Sequence, residues 1–251
     1  MRWFLRHLPD TGVRVRNVTD AATGFAVAGP RARELLARLN RADVSNAAFP
    51  FLSVREMDVG RVPAIVSRIS YTGELGYEIY APATHHLALY ETLRAAGADL
   101  GLRPIGFYAL NSLRLEKGFG AWGREYTPDY TPAMNGLARF VDLRKADFIG
   151  RDAVRRALES PPPHRLVTLL VEADGADAWG YEPVRRGDTV VGFVTSGGYA
   201  HHLGKSVALA YVRPDEPDGA VGLDVEILGS RCPATIASAP LYDPAGTRMR
   251  S

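Results

Sequence analysis

A proline triplet divides this chain into two kinds of sequence, and that division constrains the fold more than any other feature. In SPPPH, residues 160–164, three successive rings forbid a helix and favour extended backbone, so the stretch reads as a linker. Beyond it lie only short alternating runs: RLVTLLVE, TVVGFVT, SVALAYV, LDVEIL and CPATIAS. Turn-rich RRGDT and RPDEPDG separate them. Five or more strands in about 80 residues predict a small barrel or sandwich.

Upstream, strand and helix patterns alternate. VRVRNV (13–18) has the period of a strand, and GFAVAGP reads as a buried strand closed by Gly29 and Pro30. Residues 30–39 place Leu35, Leu36 and Leu39 on one helical face. VREMDVGRVPAIVSRIS predicts a hairpin turning near Gly60, and YEIYAP another strand. HHLALYETLRAA (85–96) and IGFYALNSLRLEK (105–117) predict helices that stop at Gly97 and Gly118. The expectation is an α+β domain over 1–159 and a β domain over 164–246.

The remaining composition narrows the function. Thirty basic against 28 acidic residues leave a net charge of +2. The arginines are scattered without an aromatic–basic stripe, so nucleic acid is not an expected partner. No apolar run reaches the ~18 residues of a membrane helix, and the N-terminus lacks the apolar core of a secretory signal. A single cysteine, Cys232, excludes an internal disulfide and suits a reducing compartment, so a cytoplasmic protein is expected.

Three constellations carry possible chemistry. In SRISYTGELGYEIY (67–80), glycines make bends and Glu78 stands among Tyr77, Ile79 and Tyr80 on a strand expected to face inward. A carboxylate so placed is costly unless paired, and a planar heterocycle donating adjacent N–H groups would pair it. The bland alternative is a glycine-rich hairpin with solvated acids. In LRLEKG (113–118), Arg114 needs an anion, either Glu116 or a ligand carboxylate. Trp122 follows as a core lid or a stacking wall. His201 and His202 are adjacent, so they point apart and would not share a metal. No metal site is expected, and one of the pair is a candidate acid/base.

Together, RISYTGELGYEIY, LNSLRLEKGFGAWGREYTPDYTP, DFIGRDA, VGFVTSG and LGKSVALAYV, in that order, resemble the aminomethyltransferase (T-protein) family of the glycine cleavage system. The likeness is closer still to the folate domains of dimethylglycine and sarcosine dehydrogenases. The resemblance implies an α+β, ferredoxin-like body followed by a small C-terminal β-barrel. It also implies tetrahydrofolate as cofactor and one-carbon transfer from a small amine. It gives Glu78 the pterin, sets Tyr71 nearby and places Arg114 in the cavity lining.

The departures matter as well. The family's TPLEAGL is TPAMNGL here (131–137), read as an acid replaced by Asn135, which then joins the binding set with Trp122. The family's essential aspartate lies in an N-terminal portion preceding VRNVTD, and no residue matches it. A short partner chain supplying that portion, or a homodimer, is therefore expected. Two further readings remain. One is a folate-independent enzyme closing a C–N ring or eliminating, with Glu78, His201 or His202 as base. The other is a non-catalytic folate-binding subunit.

Overall fold

The computed structural model describes residues 1–238 and 240–251. The chain forms two compact units, each drawing on non-contiguous sequence. The first comprises residues 1–70, 74–104 and 247–251; the second comprises 71–73 and 105–246.

In the first unit the elements run α1 (Arg2–Arg6), β1 (Ala22–Ala28), α2 (Ala32–Leu39), β2 (Val54–Val59), β3 (Val62–Ser67), β4 (Gly76–Pro82) and α3 (His86–Ala96). The four strands form one antiparallel sheet in the order β1-β4-β3-β2. Strict alternation sorts the side chains by face. Val27, Val62, Val66, Tyr77 and Ile79 point to one side, where Leu35 and Leu36 of α2 and Leu89 and Leu93 of α3 bury them. The β2–β3 hairpin closes through Gly60 and Arg61, and Gly60 alone adopts a positive φ, 66°. That pattern belongs to a turn with glycine first, whose twist matches the flanking strands. A Cβ at Gly60 would stand 2.7 Å from Cγ2 of Thr92, so α3 also fixes this residue as glycine.

One sequence expectation fails in this unit, and one element was not expected. Residues 13–18 alternate as a strand does, yet belong to no ladder. Alternation marks a face, but a strand also needs a neighbouring backbone, and no described strand offers one here. MRWFLR, given no element above, forms α1 without burying a single residue.

The second unit holds α4 (Phe107–Glu116), α5 (Arg151–Leu158) and six strands: β5 (Arg165–Val171), β6 (Pro183–Arg186), β7 (Thr189–Ala200), β8 (Lys205–Val212), β9 (Leu223–Ile227) and β10 (Ser230–Ile236). They close a barrel in the order β10-β5-β8-β7-β6-β9. Val167, Leu169, Val184, Val194, Ala208, Ala210, Leu223 and Val225 fill it. The sixth strand, β6, is four residues long, too short to show a period. Residues 105–158 cluster with the barrel, so the two compact units part at Pro104/Ile105. Returning after the barrel, α6 (Thr247–Arg250) joins the first unit.

Candidate functional site

The sheet face opposite α2 and α3 is open, and Glu78 stands on it. On β4, Tyr77 and Ile79 turn into the core, whereas Glu78 and Tyr80 share the other side. The expected setting of Glu78 is thus corrected: of its three apolar neighbours in sequence, only Tyr80 faces the same way. Across the ladder Glu78 lies opposite Ala26 and Ser67, two small residues that leave the surface flat. Tyr80 lies opposite Gly24 and Ile65. Its hydroxyl donates to Oε2 of Glu78 at 2.7 Å. Oε1 has no protein donor among the described residues. The bond to the carboxylate, reinforced by partial burial, raises the Tyr80 pKa. Tyr80 also stands between two hollows, one of 660 Å³ bounded by Pro63, Ile65, Glu56 and Asp58, and one of 550 Å³ bounded by Val15, Val18, Phe4 and Gly24.

The other candidates belong to the second unit. Arg114 is fully buried at the end of α4, and its anion is Glu125, 3.0 Å away. It also donates to Oδ1 of Asn111 (3.0 and 2.8 Å) and to the Phe119 carbonyl (3.0 Å). The expected Arg114–Glu116 pair does not form. Glu116 instead accepts the backbone N–H of His202 at 2.8 Å. Glu125, missed in the sequence, is held by four donors. Besides Arg114 it accepts the Ala121 N–H (2.7 Å), the Thr195 hydroxyl (2.6 Å) and the Ser196 hydroxyl. Consecutive strand residues normally point to opposite faces. Here the β7–β8 register slips between Val194 and Ser196, and a bulge of this kind lets Thr195 and Ser196 reach the same oxygen. The one sequence signal for Glu125 was the logical need of a buried arginine for an anion.

Tyr71 is half-buried near Arg114 and Glu125, and desolvation raises its pKa. Trp122 is 86% exposed, so it is no core lid. Set letter against letter, TPLEAGL and TPAMNGL place the family's acid at Met134, not at Asn135. Met134 is buried, and Oδ1 of Asn135 accepts the Leu137 N–H at 3.2 Å, closing a local turn. His201 and His202 occupy the turn after β7. The His201 ring meets Tyr199 edge-on at 5.1 Å and borders a 650 Å³ hollow with Tyr108, Asn111 and Trp179. The His202 ring meets Tyr242 at 4.9 Å. Among the described residues no cluster of three or more His, Cys, Asp or Glu could hold a metal ion.

A four-stranded antiparallel sheet with helices on one face, followed by a closed six-stranded barrel and carrying the YTGELGYE motif, defines a T-protein-like α+β protein. The chain belongs to the glycine cleavage T-protein family: the GCVT N-terminal domain matches residues 1–145, and the glycine cleavage T-protein C-terminal barrel domain matches 164–243. It is 42% identical to mouse (Mus musculus) mitochondrial dimethylglycine dehydrogenase, over 95% of this chain and 28% of that protein. It is 35% identical to an aminomethyltransferase of Caldanaerobacter subterraneus subsp. tengcongensis, over 90% of this chain and 60% of the relative. The crystal structure of the glycine cleavage aminomethyltransferase T of Bartonella henselae superimposes with a TM-score of 0.77 at 28% identity, covering 89% of this chain and 60% of that one. The chain therefore spans less than a third of the dehydrogenase and about three fifths of the aminomethyltransferases. No helix among the described residues is long and apolar enough to cross a membrane.

Proposed function

We propose that this chain is a tetrahydrofolate-binding module serving transfer of a one-carbon unit from a small amine. The supporting observation is the Glu78 carboxylate: half-buried on an open sheet face, tethered through one oxygen and with no donor to the other among the described residues. Beside it lie Ala26 and Ser67, small enough for a flat ring to rest against the strands. A fused heterocycle with an N–H edge meets both requirements, because a carboxylate accepts such donors strongly and a flat floor lets the ring approach. The residues present fit a reduced pterin. Bound there, tetrahydrofolate supplies the nucleophilic nitrogens that accept the one-carbon unit.

In this reading Glu78 holds and orients the ring by its N–H edge and transfers no proton itself. Arg114 supports the second unit from within, because its guanidinium is already committed to Glu125, Asn111 and Phe119. A partner chain, or further polypeptide of a longer protein, completes the module. The support for this is the share of the relatives that the chain spans and the apolar surface on the open face, where Val54, Ile65 and Tyr80 stand exposed.

Calorimetric titration of tetrahydrofolate into the wild-type chain and Glu78→Gln tests the proposal. A charge-assisted hydrogen bond contributes about 1.5–3 kcal/mol, so the variant should bind at least about tenfold more weakly while keeping its circular dichroism spectrum. Equal affinity in a folded variant would sink it.

A further inference from the structure

The geometry points to Tyr80 as the residue that positions Glu78 for its ligand, with Gly24 as the seat on which the Tyr80 ring rests. This inference deepens the folate reading and rests on it. A glutamate side chain has three rotatable bonds, so on an open face its carboxylate samples many orientations. Fixing it costs entropy that a ligand must otherwise supply. The Tyr80 hydroxyl, two residues along the same strand face, removes that freedom by holding Oε2. The Oε1 lone pairs then remain to receive a ligand N–H.

What holds Tyr80 is the strand across the ladder. A Cβ built on Gly24 would stand 3.1 and 3.2 Å from Cε1 and Cδ1 of the ring, closer than side chains normally approach. The phenol therefore lies directly over backbone that bears no side chain. Gly24 does not have a positive φ, so its conformation does not require glycine. Within a strand interior, glycine weakens pairing and commonly marks a close approach. Here the group that approaches is Tyr80. The ring is 44% exposed and stands between the two hollows, so neither core packing nor burial accounts for its placement.

The test uses the full chain, tetrahydrofolate as probe, and four variants: Glu78→Gln, Tyr80→Phe, Gly24→Val and the Tyr80→Phe/Gly24→Val double. Valine raises strand propensity at position 24, so weaker binding by that variant is not explained by a weakened strand. Tyr80→Phe and Gly24→Val should each bind roughly tenfold more weakly, the size of one lost hydrogen bond. The double variant should be no worse than either alone, because both break the same link.

If Glu78→Gln loses affinity while Tyr80→Phe keeps it, the positioning role is overturned and the folate reading stands. If the wild type does not bind, or Glu78→Gln binds equally, the folate reading fails. The positioning link is then decided by titrating the Tyr80 phenol by NMR on ring-labelled protein. The phenol should titrate above the ordinary tyrosine range in the wild type and fall toward it in Glu78→Gln. An ordinary value in the wild type, or no change in the variant, overturns the link.

Discussion

Tyr77 and Glu78 are adjacent, yet one is core and the other is surface, and the difference has measurable consequences. Tyr77 turns inward against Phe49, with ring centroids 5.8 Å apart, and its hydroxyl is buried with no hydrogen-bond partner among the described residues. An unsatisfied buried hydroxyl carries a desolvation cost of about 1–3 kcal/mol. Tyr77→Phe should therefore be neutral or stabilising in urea denaturation, whereas tyrosine changes in a core usually destabilise. A loss above about 1 kcal/mol would mean that the hydroxyl is bonded in solution. The motif singles out Glu78 as a candidate. It does not show which neighbour shares its face, because three aromatic and aliphatic residues flank it and only strand phase separates Tyr80 from the other two. The anion of Arg114 was illegible for a related reason. Glu125 lies eleven positions away, beyond the turn after α4, and only the folded loop brings the charges together.

Element boundaries were legible wherever a periodic pattern had a neighbour to pack against. Strands β1 to β4, helices α2 to α4 and most of the barrel fall close to their expected places. Residues 13–18 had the pattern without the neighbour, and β6 had the neighbour without the pattern. The β7 bulge was invisible because it adds a residue without changing composition, yet it joins the strand to the Arg114–Glu125 pair. Thr195→Val preserves the shape and removes one donor from Glu125, so it should cost about 1–3 kcal/mol. Thermal or urea unfolding that leaves the variant equal to the wild type would show that Ser196, Ala121 and Arg114 satisfy the carboxylate alone.

A second barrel contact sets a pH dependence. Arg186 on β6 donates through Nε at 2.9 Å, and also through its terminal nitrogen, to Glu216, which follows β8. The side-chain bond from Arg186 depresses the Glu216 pKa. A depressed carboxylate contributes stability above its unfolded value, about 4.3, and loses it as pH falls through the folded value. Arg186 is partly exposed, so solvent screens the pair and the effect is modest. Wild type and Glu216→Gln should differ in unfolding midpoint at pH 7, and the gap should shrink as pH falls below about 4.3. A constant gap across that range would contradict the assignment.

At the scale of the whole molecule, sequence order and spatial order disagree. Residues 247–251 follow the barrel in sequence but belong to the first unit, while 71–73 interrupt the first unit and belong to the second. No local pattern announces either exchange, and the expected domain bounds, 1–159 and 164–246, assign the last residues to neither domain. In the structure they belong to the first unit, with Met249 buried and the other four exposed. Arg68, at the end of β3 and wholly buried, donates to Oδ1 of Asn46, to the Phe49 carbonyl and to the oxygen of Ser251. Arg33 on α2 reaches the same oxygen, and Met249 is buried. Burial already lowers the Arg68 pKa, with Arg33 adding to the effect. A guanidinium in that position depends on each acceptor it keeps, since a lost hydrogen bond to a buried charged group costs about 1.5–3 kcal/mol. Removing residues 247–251 should therefore loosen the sheet β1–β4 and helix α2, the region remote in sequence. The adjacent barrel should keep its protection. Hydrogen exchange read by mass spectrometry distinguishes the two: faster exchange confined to residues 22–96 is expected, with β5–β10 unchanged. Faster exchange concentrated in the barrel would show that the last residues stabilise the unit they follow, and that the buried arginine finds another acceptor.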